Sequence, residues 1–104
     1  MTEDEAISLI EKEYDTDDGL LIKFRMSDDV ESERLERFLT ALEGMTAHYT
    51  GQSHVTKQHA YIIMSFRDTL AASASHWKVS RPEGLSVQMT SKLISTLSSV
   101  FGTR

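Results

Sequence analysis

The chain has 104 residues, no cysteine and a net charge of −5. A length of this order supports one domain that buries about 60 to 70% of its unfolded surface, so residues 1–104 are read as a single domain needing no covalent staple. The missing cysteine excludes disulfides, thiolate metal sites and cysteine nucleophiles. No apolar run approaches the ~18 residues of a membrane span, and the acidic start Met1-Thr2-Glu3-Asp4-Glu5 is unlike a signal peptide. A soluble, cytoplasmic protein with no membrane contact is expected.

The charge is unevenly placed. Residues 1–44 hold fourteen Asp and Glu against five Lys and Arg, a net of −9, whereas residues 45–104 hold two against six, a net of +4. An acidic half of this kind repels nucleic acid and attracts cationic surfaces.

In chain order, Thr2-Glu3-Asp4-Glu5 fits a capping box, and Ala6, Ile7, Ile10 and Tyr14 follow at helical spacing. This predicts a helix to about Tyr14, broken by Asp15-Thr16-Asp17-Asp18-Gly19. Residues 19–26 alternate, with Leu20, Ile22, Phe24 and Met26 on one side, and predict a strand. Ser27-Asp28-Asp29 then offers N-caps, with Glu31 three residues after Asp28. The helix that follows has Leu35, Phe38, Leu39 and Leu42 in one stripe, an outer Glu33–Arg37 pair and a stop at Gly44.

Residues 45–50 predict a second strand, joined through a polar loop at 51–58 to a third at residues 60–66. Ala60, Ile62, Met64 and Phe66 would share its buried face, and this run is the longest strand-forming stretch of the chain. Asp68 would cap a helix that turns Leu70, Ala71, Ala74 and Trp77 inward, and Arg81-Pro82-Glu83-Gly84 fits a type I turn. Leu85, Val87 and Met89 alternate as a short strand. A last helix, capped by Thr90 or Ser91, carries Leu93, Ile94, Leu97, Val100 and Phe101 and stops at Gly102. The middle of this order is βαββαβ, so the expected fold is α+β, a ferredoxin-like antiparallel sheet with helices mainly on one face and a further helix at each end.

Candidate chemistry is sparse. His48, His54 and His59 lie close in sequence, but their spacing matches no zinc signature. The run from Asp15 to Gly19 invites a calcium loop, yet with Gly19 at its sixth position the first is Tyr14 and the twelfth Arg25, so the register fails. There is no Gly-x-Ser-x-Gly elbow, phosphate loop or His-Glu-x-x-His. Lys23, Arg25, Tyr61 and Ile63 on an open sheet face would form a basic and aromatic platform, but they lack the RNA-recognition signature. No catalytic residue, metal or cofactor is therefore assigned.

The expected function is non-enzymatic protein binding, of the inhibitor or immunity type. Asp15, Asp17, Asp18, Asp28, Asp29 and Glu31 would meet the Lys and Arg of a cationic protein partner such as the active site of a nuclease-like toxin domain. The alternative is a dimeric ferredoxin-like domain that binds or transforms a small molecule through His48, His59 or Tyr61. A homodimer is compatible with either, and a structural subunit without activity of its own is a third reading.

Overall fold

A computed structural model describes residues 1–102, apart from the side chains of Lys78 and Val79. Among the described residues the chain forms five helices and no strand: α1 (Glu3–Asp15), α2 (Leu20–Met26), α3 (Ser32–Tyr49), α4 (Lys57–Ser80) and α5 (Val87–Ser99). The α+β, ferredoxin-like expectation is thereby overturned, and with it the small-molecule cleft that depended on a sheet. All four expected strands are helical or loop.

The correction is clearest at residues 60–66. A strand would bury Ile62, Met64 and Phe66 together, but Met64 is 53% exposed while Ile62, Ile63, Phe66, Leu70 and Trp77 are buried. That spacing follows a helix of 3.6 residues per turn, and it holds from Ile62 to Trp77. In residues 20–26, alternation and helical spacing share Leu20 and Phe24. The helix buries Leu21 and leaves Met26 exposed, as a period of two would not. The stretch at 45–50 continues α3, with Met45 and Tyr49 buried four residues apart. The last strand is replaced by a loop and by the first turn of α5, which begins at Val87 with the Ser86 hydroxyl accepting from the Met89 amide.

Several local expectations correspond to what the structure contains. The capping box at Thr2 is complete, the Glu5 amide donating to the Thr2 hydroxyl at 3.1 Å and the Thr2 amide to the Glu5 carboxylate at 2.8 Å. Hydrogen bonds from Thr2, its backbone amide first and its side chain second, hold the Glu5 carboxyl below its ordinary value. Leu35, Phe38, Leu39 and Leu42 are all buried. Gly44, however, does not stop its helix. It lies inside α3 where α1 crosses it, and a Cβ built there would come within 2.6 Å of the Ala6 Cβ. The small pair lets the two backbones approach closely, a packing role that outweighs the propensity of glycine to break a helix.

The core is aromatic at its centre. Phe24 of α2, Phe38 of α3 and Phe66 of α4 meet at ring separations of 4.9 to 6.5 Å, and Trp77 joins Phe24 at 6.1 Å. α5 closes the bundle against α4 and α3 with Leu93, Leu97 and Val100 buried. The loop before α3 and the loop before α5 are stitched together. The Val30 amide donates to the Glu83 carbonyl and the Glu83 amide to the Asp29 carboxylate, at 2.9 and 2.7 Å. Gly84 has φ +86° and presses on the Val30 carbonyl so closely that no side chain fits there. The turn runs from Pro82 to Leu85, one residue later than its sequence suggests.

Candidate functional site

The six acidic residues singled out by sequence are all exposed. They flank α2 on either side: Asp15 ends α1 and Asp17 and Asp18 lie in the loop before α2, while Asp28, Asp29 and Glu31 lie in the loop after it. Because α2 is a seven-residue helix, it spans only about 10 Å, less than half of what a strand of that length would cover. The two acidic loops are correspondingly drawn together.

Glu13 and Arg34 hold the first loop. The Arg34 guanidinium donates to both oxygens of the Glu13 carboxylate at 2.6 and 3.0 Å and to the Asp18 carbonyl at 2.8 Å. The same carboxylate accepts from the Leu20 amide at 3.1 Å, so it caps the start of α2. The hydrogen bonds Arg34 donates to Glu13 raise its guanidinium pKa against the opposing effect of burial, and the charges of Glu13, Asp18 and Glu31 add to the rise. Asp18 and Glu31, from opposite ends of α2, therefore share one field. They also line one groove of about 660 Å³ with Glu5, Lys12, Arg34 and Arg37. Neither Glu13 nor Arg34 stood out in the sequence. Their signal is a link across 21 positions, which no local spacing displays.

Beyond α2 the picture differs. Ser27 ends the helix in the left-handed conformation, φ 57°, and its hydroxyl accepts from the Trp77 indole N–H at 2.9 Å. Asp29 is engaged with the Glu83 amide, which makes it a structural acid as well as an exposed one. Among the described residues, Asp15, Asp17, Asp18, Asp28 and Glu31 have no salt-bridge partner; the ion pairs formed are Arg34–Glu13 and Arg67–Asp68, and the imidazoles of His48 and His59 lie beside Glu3 and Glu11.

The three histidines are not brought together. His48 lies 3.4 Å from Glu3 on one flank, and His54 sits in the exposed loop beside Ser53. His59 is largely covered, with Nδ1 2.6 Å from the Tyr49 hydroxyl and Nε2 3.6 Å from Glu11. Tyr49 also bonds the Thr56 hydroxyl at 3.2 Å, and it is itself buried, so this row of polar groups ties α1, α3 and the start of α4 to one another. A cavity of about 420 Å³ lies nearby, between the end of α3 and the end of α5. Two of its hydroxyls, on Thr46 and Thr50, donate back into their own helix, and Gln52 does the same to His48. Its polar groups do not converge on the cavity. Among the described residues no three His, Asp or Glu side chains form a group able to hold a metal. No helix among them is long and apolar enough to cross a membrane.

No protein-family model matches the chain, and neither a curated protein nor a solved structure matches it. The fold and surface define it as an acidic helical domain.

Proposed function

We propose that this protein is a non-enzymatic binding module whose acidic surface covers a cationic site on another protein, in the manner of an inhibitor or immunity protein. The observation that carries the reading is that Asp15, Asp17, Asp18, Asp28 and Glu31, towards the two ends of one short helix, are exposed and have no ion-pair partner among the described residues. Carboxylates that serve folding are engaged with amides or cations, as Glu13 and Asp29 are. These five are exposed for encounter, although Asp18 and Glu31 also act on Arg34, and complementary fields raise the association rate more than the intrinsic affinity.

The mechanism is steric and electrostatic occlusion. The partner is a basic domain, and the first one to test is the product of an adjacent reading frame with a basic C-terminal region. Its association rate should fall steeply between about 0.01 and about 1 M salt, as the screening length shrinks from about 30 to about 3 Å. Replacing Asp15, Asp17 and Asp18 by Asn should slow association about tenfold or more at low salt. An unchanged rate in both tests would leave the acidic loops as a solvated surface only.

A further inference from the structure

Two large apolar side chains stand outside the core one turn apart on α4: Tyr61, 64% exposed, and Met64, 53% exposed. Lys57 and Asp68, both exposed, lie one turn beyond them at either end, and at helical spacing all four share one outward face. Their order is symmetric. Tyr61 and Met64 stand equally far from the point midway between Ile62 and Ile63, and Lys57 and Asp68 stand equally far from that same point. The face therefore runs from a cation through two apolar groups to an anion, and these four cancel in charge although the chain carries −5. Tyr61 is already held in place. It meets Tyr14 edge-on at 6.2 Å, and Tyr14 packs on Phe66 at 6.3 Å, so little side-chain freedom is left to lose on binding. Among the described residues Lys57 has no salt-bridge partner, and Asp68 has only the adjacent Arg67, at 3.8 Å.

We propose that this face is the contact of a homodimer, in which α4 lies antiparallel to α4 of a second copy about a two-fold axis beside residues 62 and 63. A two-fold contact apposes identical surfaces, so a face fits itself only when its own pattern is complementary on reversal. This one is. Reversing α4 about that midpoint brings each Tyr61 level with the partner's Met64 and each Lys57 level with the partner's Asp68, which gives an apolar centre with an ion pair at each end. A rigid tyrosine beside an adaptable methionine suits the desolvated centre of an interface, and charge suits its rim. Charge also selects the occupant. A partner surface of one sign would set Lys57 or Asp68 against its like, whereas a second copy satisfies both. From Lys57 to Ser75 the face is about 27 Å long and one helix wide, less than the ~800 Å² per partner of a standard interface, so the dimer is a transient one. The inference is independent of the acidic-module reading above.

Sedimentation velocity of the intact chain at about 0.15 M salt, from about 10 µM to about 1 mM, should show a monomer–dimer equilibrium with a Kd of ~10 to ~100 µM. Tyr61→Ser/Met64→Ser should weaken it about tenfold or more. Lys57→Glu alone and Asp68→Lys alone should each do the same, because either sets like charges face to face at both ends of the contact. Mixed in equal amounts, these two charge variants should regain association close to that of the wild type, since each introduced charge then meets an opposite one. Residues 57 and 68 are about 16 Å apart along their own helix, so the recovery cannot arise within one chain. Circular dichroism should show every variant folded. A chain still monomeric at about 1 mM leaves the face to a different protein and overturns the proposal. So does a dimer that Tyr61→Ser/Met64→Ser leaves intact, which places the contact elsewhere. A mixture no tighter than its two components overturns the antiparallel pairing and the proposal with it.

Discussion

The Glu13 carboxylate meets the Arg34 guanidinium through two hydrogen bonds and, with the same group, accepts from the first amide of α2. One side chain thereby connects three helices, and the acidic loop between α1 and α2 is fixed around it. Removing the guanidinium in Arg34→Ala should cost about 1.5 to 3 kcal/mol, the range for hydrogen bonds to charged groups. Arg34→Lys keeps the charge but cannot form the fork, so it should recover only part of that loss. Urea unfolding followed by circular dichroism ranks the three proteins. Equal midpoints for wild type and Arg34→Ala would show that the pair contributes nothing.

Gly44 and Ala6 make a second test of the packing. Gly44→Ala gains up to ~1 kcal/mol of helix propensity, yet its new methyl would overlap Ala6 at 2.6 Å. Overpacking typically costs about 1 to 3 kcal/mol, so a net loss of stability is expected. Ala6→Gly in the same chain should restore much of it, since the obstructing methyl is gone. A double-mutant cycle measured by thermal or urea unfolding gives the coupling directly. Additive effects would place α1 and α3 further apart.

Ser27 holds Trp77 while adopting a left-handed backbone, and two substitutions separate these roles. Ser27→Ala keeps the strained backbone and removes the acceptor from the indole N–H, for a loss of about 1 kcal/mol or more. Ser27→Gly loses the same bond but relieves a left-handed conformation that costs roughly 1 kcal/mol in other residues. The glycine variant should therefore unfold at a higher urea concentration than the alanine variant. The reverse order would show that the backbone at Ser27 is unstrained.

How much of this was legible in the sequence depended on the length of each pattern. The stripe from Leu35 to Leu42 and the box at Thr2 and Glu5 each contain a signal that only a helix satisfies, and a helix forms at both, although α3 runs past the expected stop at Gly44 to Tyr49. Residues 20–26 are too short to separate the two periods, because Leu20 and Phe24 belong to both. In residues 60–66 the β-branched Ile62 and Ile63 favour a strand locally, and the deciding residues, Leu70 and Trp77, lie beyond the window. Gly44 was misleading for a different reason: its meaning resides in Ala6, a tertiary neighbour. The acidic candidates were legible as charge, since all six are exposed. That Asp29 serves the fold, and that Glu13 and Arg34 organise the loop, required contacts between distant parts of the chain.

The capping box gives a pH dependence of defined sign. The Glu5 carboxyl is held below its ordinary value of 4.5 by hydrogen bonds to Thr2, first to its backbone and then to its side chain. Its stabilising effect is present above 4.5 and is lost as pH falls through the lower folded-state value. Acid titrations of urea midpoints should accordingly decline less in Glu5→Gln than in wild type below that pH. Parallel declines would show that the box does not persist in solution.

The acids should divide by sign of effect in the absence of any partner. Asp29 accepts from the Glu83 amide, which ties the loop before α3 to the turn before α5. Asp29→Ala removes that acceptor and should cost about 1 kcal/mol. Asp29→Asn retains an oxygen there and should cost less. Asp17 and Asp18 have no salt-bridge partner among the described residues, and with Asp15 at the end of α1 they place three like charges within four residues. Replacing those three by Asn removes mutual repulsion, and turn positions accept Asn, so stability should stay level or rise slightly, most visibly at low salt. Urea unfolding at low and at high salt measures both signs with the protein alone. A clear loss of stability in the triple Asn variant would mean that these acids serve the fold as Asp29 does, and would leave Asp28 and Glu31 as the charges available to a partner.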